Sequence, residues 1–158
     1  MAEPIIILVG TMTGTADLVA QEIGDVLETS DLAVEIRQME SLSPEDLAGM
    51  TRVLLCTSTY GQGDVPDNAR DLVEALETAR PDLSALHYGV IALGDRTYAQ
   101  TYCQGGLRID RLLAGLGAQR IGDPLCLDAS SGEMPEDAAV AWVPGWLDLL
   151  RARLDMAA

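Results

Sequence analysis

Short runs rich in Val, Ile and Leu alternate along this chain with longer amphipathic runs, and no other feature restricts its fold so tightly. The apolar runs are Pro4 to Val9, Ala33 to Gln38, Arg52 to Ser58, Tyr88 to Leu93 and Gln119 to Leu127. Several are apolar on consecutive residues, which is how strands buried on both faces of a parallel sheet read. Helices are predicted at Gly14 to Glu28, Asn68 to Ala79, Gly105 to Leu116 and Pro135 to Leu154. A shorter one starts at Ser43-Pro44-Glu45-Asp46, where an N-cap serine precedes a proline at the first helical position and two acidic residues in the first turn. A βα chain of this kind winds into an open α/β sheet with helices on both faces, because its crossovers are right-handed. Ligands of such sheets sit beyond the carboxyl ends of the strands, so the loops after the first, third and fourth strands are the places to search.

With 158 residues and no linker or low-complexity run, residues 1–158 are expected to form a single domain. No apolar stretch approaches the roughly 20 residues that span a bilayer, and the N-terminus lacks the pattern of a signal peptide; a cytoplasmic protein without membrane insertion is the expectation. Cys56, Cys103 and Cys126 are an odd number with neither CxxC nor metal-ligand spacing. Cys56 and Cys126, each within an apolar run, read as core. Together with a single histidine, His87, this leaves no support for a metal site.

All ten basic residues are arginine, and the formal net charge is -15. Nucleic-acid binding requires a basic face, so it is excluded as an expectation. An acidic face instead steers a protein towards basic partners and can raise encounter rates by about 10 to 1000-fold.

The first loop, Gly10-Thr11-Met12-Thr13-Gly14-Thr15-Ala16, combines three hydroxyls and a glycine with the start of a helix. The free N–H groups and partial positive charge of a helix N-terminus suit an anion. Without the lysine of GxxxxGK[ST], and with no GxGxxG anywhere, a single phosphate fits better than a triphosphate or a dinucleotide. The second loop, Thr57 to Asn68, contains Ser58, Thr59, Tyr60, Gly61, Gly63 and Asp64; the third, Gly94 to Gly106, contains Asp95, Tyr98 and Cys103. Three of the chain's four tyrosines lie on these two loops, among turn-forming residues with little core packing to satisfy. A phosphate cradle beside exposed aromatic faces matches a planar heterocycle carrying one phosphate.

Thr11-x-Thr13-Gly14-Thr15-Ala16, Thr59-Tyr60-Gly61-Gln62-Gly63-Asp64-x-x-Asp67-Asn68-Ala69 and Leu93-Gly94-Asp95-Arg96-Thr97-Tyr98 resemble the three FMN-binding loops of the flavodoxin family. They are most similar to the branch containing the FMN domains of cytochrome P450 reductase and sulfite reductase flavoprotein. The segment from Met134-Pro135-Glu136-Asp137 to Trp142 and Trp146 is similar to the short free-standing MioC proteins. The resemblance implies a flavodoxin-like, doubly wound, five-stranded parallel sheet of order 2-1-3-4-5 in three α/β/α layers. It also implies that Thr11, Met12, Thr13, Gly14 and Thr15 hold the FMN phosphate, that Tyr60 and Tyr98 flank the ring, and that the Gly61 peptide faces N5. Ser58, Thr59, Gly63, Asp64, Leu93, Gly94, Asp95, Cys103 and Asp128 would complete the pocket. Asp95 and Cys103 stand where the reductase branch has asparagine, and Asp128 begins the segment that replaces an acidic cluster of that branch. Trp142 and Trp146, four apart on the last helix, read as core packing.

The implied function is that of an FMN electron carrier, reduced by a separate NAD(P)H-dependent flavoprotein reductase and oxidised by a redox enzyme, both with basic docking faces. The alternative within the same fold is a flavin-dependent quinone or nitro reductase, which needs a second substrate pocket over the flavin.

Overall fold

In the computed structural model, residues 4–11, 14–59, 66–94, 103–128 and 132–154 are described. Strands β1 (Ile5–Gly10), β2 (Val34–Gln38), β3 (Arg52–Thr57) and β4 (His87–Gly94) run parallel in the order β2-β1-β3-β4. The next position is shared by β5 (Gln119–Arg120), beside His87 and Tyr88, and β6 (Leu125–Asp128), beside Ile91 to Gly94. The crossovers carry α1 (Thr15–Glu28), α2 (Pro44–Ala48), α3 (Asp67–Ala79), α4 (Gln104–Gly115) and α5 (Pro135–Leu154). This is the predicted doubly wound sheet of order 2-1-3-4-5, with helices on both sides.

The apolar stretch predicted as one fifth strand, Gln119 to Leu127, is two pieces. The Ile121 N–H still donates to the Tyr88 carbonyl at 2.7 Å, but Gly122 has φ 73 and Pro124 lacks an N–H, so the ladder breaks over Gly122 to Pro124.

Alternation along the strands divides the core. Ile5, Ile7, Val9, Leu54, Cys56, Ile91 and Leu93 pack against α1 and α5. Leu8, Val53, Leu55, Tyr88, Val90 and Ala92 pack against α3 and α4. Strands covered on both faces need apolar side chains at consecutive positions, which is why their runs were continuous.

Two contacts hold α5 and α4 to β4 on opposite faces of the sheet. The buried Trp146 indole rests on Gly89 of β4, where an added Cβ would lie 2.6 Å from Cε2 and 2.9 Å from Leu54 Cδ2. Trp142 stacks on Trp146 at 6.2 Å between ring centroids. On the other face, the buried Asp110 of α4 accepts from Tyr88 Oη and Arg120 Nη1, each at 2.6 Å. Burial and the Asp110 carboxylate together push the Tyr88 phenol well above its usual range. His87, expected before the strand, is its first residue, with Nδ1 buried and without a hydrogen-bond partner.

At α2 the predicted cap forms: the Ser43 side chain accepts from the Asp46 N–H at 3.4 Å, and the Ser43 N–H donates to Asp46 Oδ2 at 2.9 Å. That backbone bond, with one from the Ser43 hydroxyl, holds the Asp46 carboxyl below its ordinary range.

Candidate functional site

Because the strands are parallel, β1, β3, β4 and β6 all end at one edge of the sheet, and α1 and α4 begin there. This brings together Thr11 after β1, Gly14 and Thr15 at the start of α1, Ser58 and Thr59 after β3, Leu93 and Gly94 at the end of β4, Asp128 at the end of β6, and Cys103 just before α4. Met12, Thr13, Tyr60, Gly61, Gly63, Asp64, Asp95 and Tyr98 lie outside the described residues.

The first loop leaves β1 under restraint. Asn68 Oδ1 accepts the Thr11 backbone N–H at 2.7 Å, and Thr11 Oγ1 accepts the Gly14 N–H at 2.9 Å. Gly14 caps α1 with φ 92, a left-handed conformation cheap only for glycine. Among the described residues, its chain neighbours aside, an added Cβ there would meet nothing within 4 Å, so these residues leave the space over the helix start open. The first-turn N–H groups of any helix lack carbonyl partners within the helix, and they carry the positive end of its dipole. Hydroxyls, an open glycine and a helix N-terminus make a cradle that fits a single phosphate without a basic side chain.

Asn68 also donates through Nδ2 to Gln38 Oε1 at 3.0 Å, and Gln38 Nε2 donates to Asp17 Oδ1 at 2.5 Å. The chain Thr11, Asn68, Gln38, Asp17 thus joins the ends of β1 and β2 to the starts of α3 and α1. Asn68 lay within a recognised motif, but nothing in its local sequence pointed to Thr11 or to Gln38 as partners.

The second and third loops are tied at their roots. Ser58 donates its N–H to the Gly10 carbonyl at 2.9 Å. Thr59 Oγ1 donates to the Leu93 carbonyl at 3.0 Å and accepts the Gly105 N–H at 3.0 Å, so one hydroxyl joins the end of β3, the end of β4 and the first turn of α4. Cys103, fully buried with φ 58, turns its thiol towards the Ala92 carbonyl at 3.3 Å. Its sulfur therefore lies beneath the edge against β4. Gly94 and Asp128 are partners in the β4–β6 ladder.

A cavity of about 460 Å³ opens between the starts of α1 and α5, lined by Thr15, Leu18, Leu93, Gly94, Leu127 and Met134 among others. Glu136 also borders it; its two carboxylate oxygens are buried without hydrogen-bond partners. Among the described residues, no His, Cys, Asp or Glu cluster could hold a metal ion, and no helix is long and apolar enough to cross a membrane.

The fold agrees with that of known proteins. The flavodoxin family model matches residues 7–142. Flavodoxin YqcA of Pectobacterium carotovorum subsp. carotovorum is 42% identical, over 93% of this chain and 97% of that protein. Protein MioC of Escherichia coli K12 is 34% identical, over 93% and 98%. A solved cysteine-to-alanine mutant of flavodoxin from Pseudomonas aeruginosa aligns with a TM-score of 0.81 and 32% identity, covering 94% of this chain and 99% of its own. The chain belongs to the flavodoxin family of electron-transfer proteins, whose cofactor is FMN.

Proposed function

We propose that this chain is a small FMN electron carrier that takes single electrons from a separate NAD(P)H-dependent flavoprotein reductase and delivers them to a redox enzyme. The observation that carries the reading is the cradle at Gly14: a left-handed glycine with open space above it, at a helix start held to β1 through Thr11. When bound, FMN supplies the one-electron chemistry.

The chain's own residues bind and orient it. Thr11, Met12, Thr13, Gly14 and Thr15 would hold the phosphate by hydroxyls and N–H groups, and Tyr60 and Tyr98 would cover the ring faces and exclude water. The Gly61 carbonyl would be the group offered to the ring N5. Ser58, Thr59, Gly63, Asp64, Leu93, Gly94 and Asp95 form the pocket walls, with Cys103 supporting them from below and Asp128 at the rim. Phosphate binding by neutral donors leaves its charge in place, and the surrounding protein is strongly acidic. An acidic surround of this kind would disfavour further negative charge on a bound ring.

The net charge of -15 suits brief docking on basic faces of both partners. The deciding experiment is a visible-absorption titration of the purified chain with FMN, followed by reduction with and without a flavoprotein reductase. A shifted flavin spectrum, reduced by NADPH only when the reductase is present, is the expected result. No flavin binding, or rapid quinone turnover with NAD(P)H alone, would overturn it.

A further inference from the structure

Cys103 and Cys126 are 23 residues apart in the sequence and meet in the fold. Cys126 is the ladder partner of Ala92. Partners in a parallel pair point to the same face of the sheet. That face is the one covered by α4, and Cys103 lies in the same cluster, with Cys126 packed against it. The left-handed turn at Cys103 directs its sulfur to the Ala92 carbonyl at 3.3 Å, so both thiols gather at one point on β4. One turn along, an added Cβ at Gly106 would lie 2.6 Å from Ala92 Cβ, so the start of α4 is pressed against this strand.

The two thiols are not equivalent. Cys103 is fully buried, whereas Cys126 is partly exposed. A hydrogen bond from Cys103 lowers Cys126 to about 7, so near neutral pH a large share of Cys126 is thiolate. Cys103 has one proton to give, and passing it to the Cys126 sulfur releases the Ala92 carbonyl. Cys56, buried on the opposite face, is pushed far above the usual thiol range and stays unreactive.

We propose that Cys103 and Cys126 form an oxidisable pair that a hydroperoxide closes to an intramolecular disulfide. The Cys126 thiolate attacks the peroxide; an S–O bond forms, the O–O bond breaks, and the departing hydroxide takes up a proton. Cys126 is then a sulfenic acid. The Cys103 sulfur gives up its proton and attacks the Cys126 sulfur; the S–S bond forms, the S–O bond breaks, and the departing hydroxide leaves as water with that proton. Two thiols and one hydrogen peroxide thereby give one disulfide and two waters, with both electrons going to the peroxide. The chemistry requires only the two cysteines and is independent of flavin binding.

The test is hydrogen peroxide treatment of the full, native, FMN-free chain, then alkylation and peptide mass analysis. Three alkylatable thiols are expected to fall to one, with a Cys103–Cys126 linked peptide that dithiothreitol reverses, and Cys56→Ser is expected to form the same link. In Cys103→Ser, Cys126 is expected to be trapped as a sulfenic acid that dimedone labels; in Cys126→Ser, Cys103 is expected to survive the treatment. Retention of three thiols, sulfinic acid at Cys126 with Cys103 unmodified, or a linked dimer in place of the internal bond would overturn the proposal.

Discussion

The Asn68 side chain accepts the Thr11 backbone N–H at 2.7 Å across 57 positions of sequence, tying the first loop to the start of α3. Removing it strands a partly buried N–H and breaks the link onward to Gln38. Asn68→Ala is expected to cost about 1 to 2 kcal/mol of stability. It should also weaken FMN binding roughly tenfold, which corresponds to about 1.4 kcal/mol. Asn68→Asp keeps the acceptor for Thr11 but loses the donor to Gln38 Oε1, so it should recover only part of the stability while FMN remains weaker because of the added negative charge. Chemical denaturation and flavin fluorescence titration measure the two effects separately.

Gly14 separates affinity from stability. Its φ of 92 penalises any side chain, yet among the described residues, its chain neighbours aside, no atom stands within 4 Å of an added Cβ. Gly14→Ala is therefore expected to fold, at a conformational cost of about 1 to 2 kcal/mol. The methyl group projects into the open space over the helix start, so FMN affinity should fall by at least about 100-fold, more than the stability loss alone implies. Equal losses in stability and binding would show that the phosphate lies elsewhere.

How much of this was legible in the sequence depended on how local each cause was. Strands β1, β3 and β4 and helix α5 at Pro135–Leu154 could be read directly, because two-sided burial and a proline with acidic residues in the first turn leave their marks on consecutive residues. The loop roots could be read from turn residues and hydroxyls. The break between β5 and β6 was masked by apolar residues on both sides of Gly122 to Pro124, although the glycine and proline themselves mark the place. The union of Thr11 with Asn68, and of Cys103 with Cys126, had no local mark. Each pair is made by strands and helix starts meeting at a distance, and one-dimensional spacing does not contain that information.

Two buried groups give the fold a sensitivity to alkali. Tyr88 and Cys56 both titrate above their ordinary ranges in the folded chain, each chiefly because burial penalises the charged form. A raised pKa contributes stability that is fully present below the unfolded value and is lost as pH rises towards the folded one. Stability should therefore hold through neutral pH, then decline from about pH 9 for Cys56 and about pH 10 for Tyr88. The limiting slope is about 1.4 kcal/mol per pH unit for each group. Urea unfolding across this range should show a shallower decline in Cys56→Ala, and in Tyr88→Phe a loss of the steeper part. Parallel curves for the variants and the parent would place the alkaline transition at other groups.

Thr59 gives the most direct test of how the fold supports the flavin edge. Its hydroxyl donates to the Leu93 carbonyl and accepts from the Gly105 N–H, both at 3.0 Å, so it holds the second loop to the third and both to α4. Thr59→Val keeps the shape and removes both bonds, stranding a carbonyl and an N–H at the base of the ring pocket. The expected cost is about 1 to 3 kcal/mol of stability. Because the loops on either side are anchored at this point, FMN affinity should fall by roughly 10-fold or more. Thr59→Ser restores the hydroxyl without the methyl group and should return most of the affinity. Recovery by serine but not by valine identifies the hydroxyl as the positioning group. Retention of affinity by valine with its loss in serine would mean that the methyl packing, and not the double hydrogen bond, sets the loop roots.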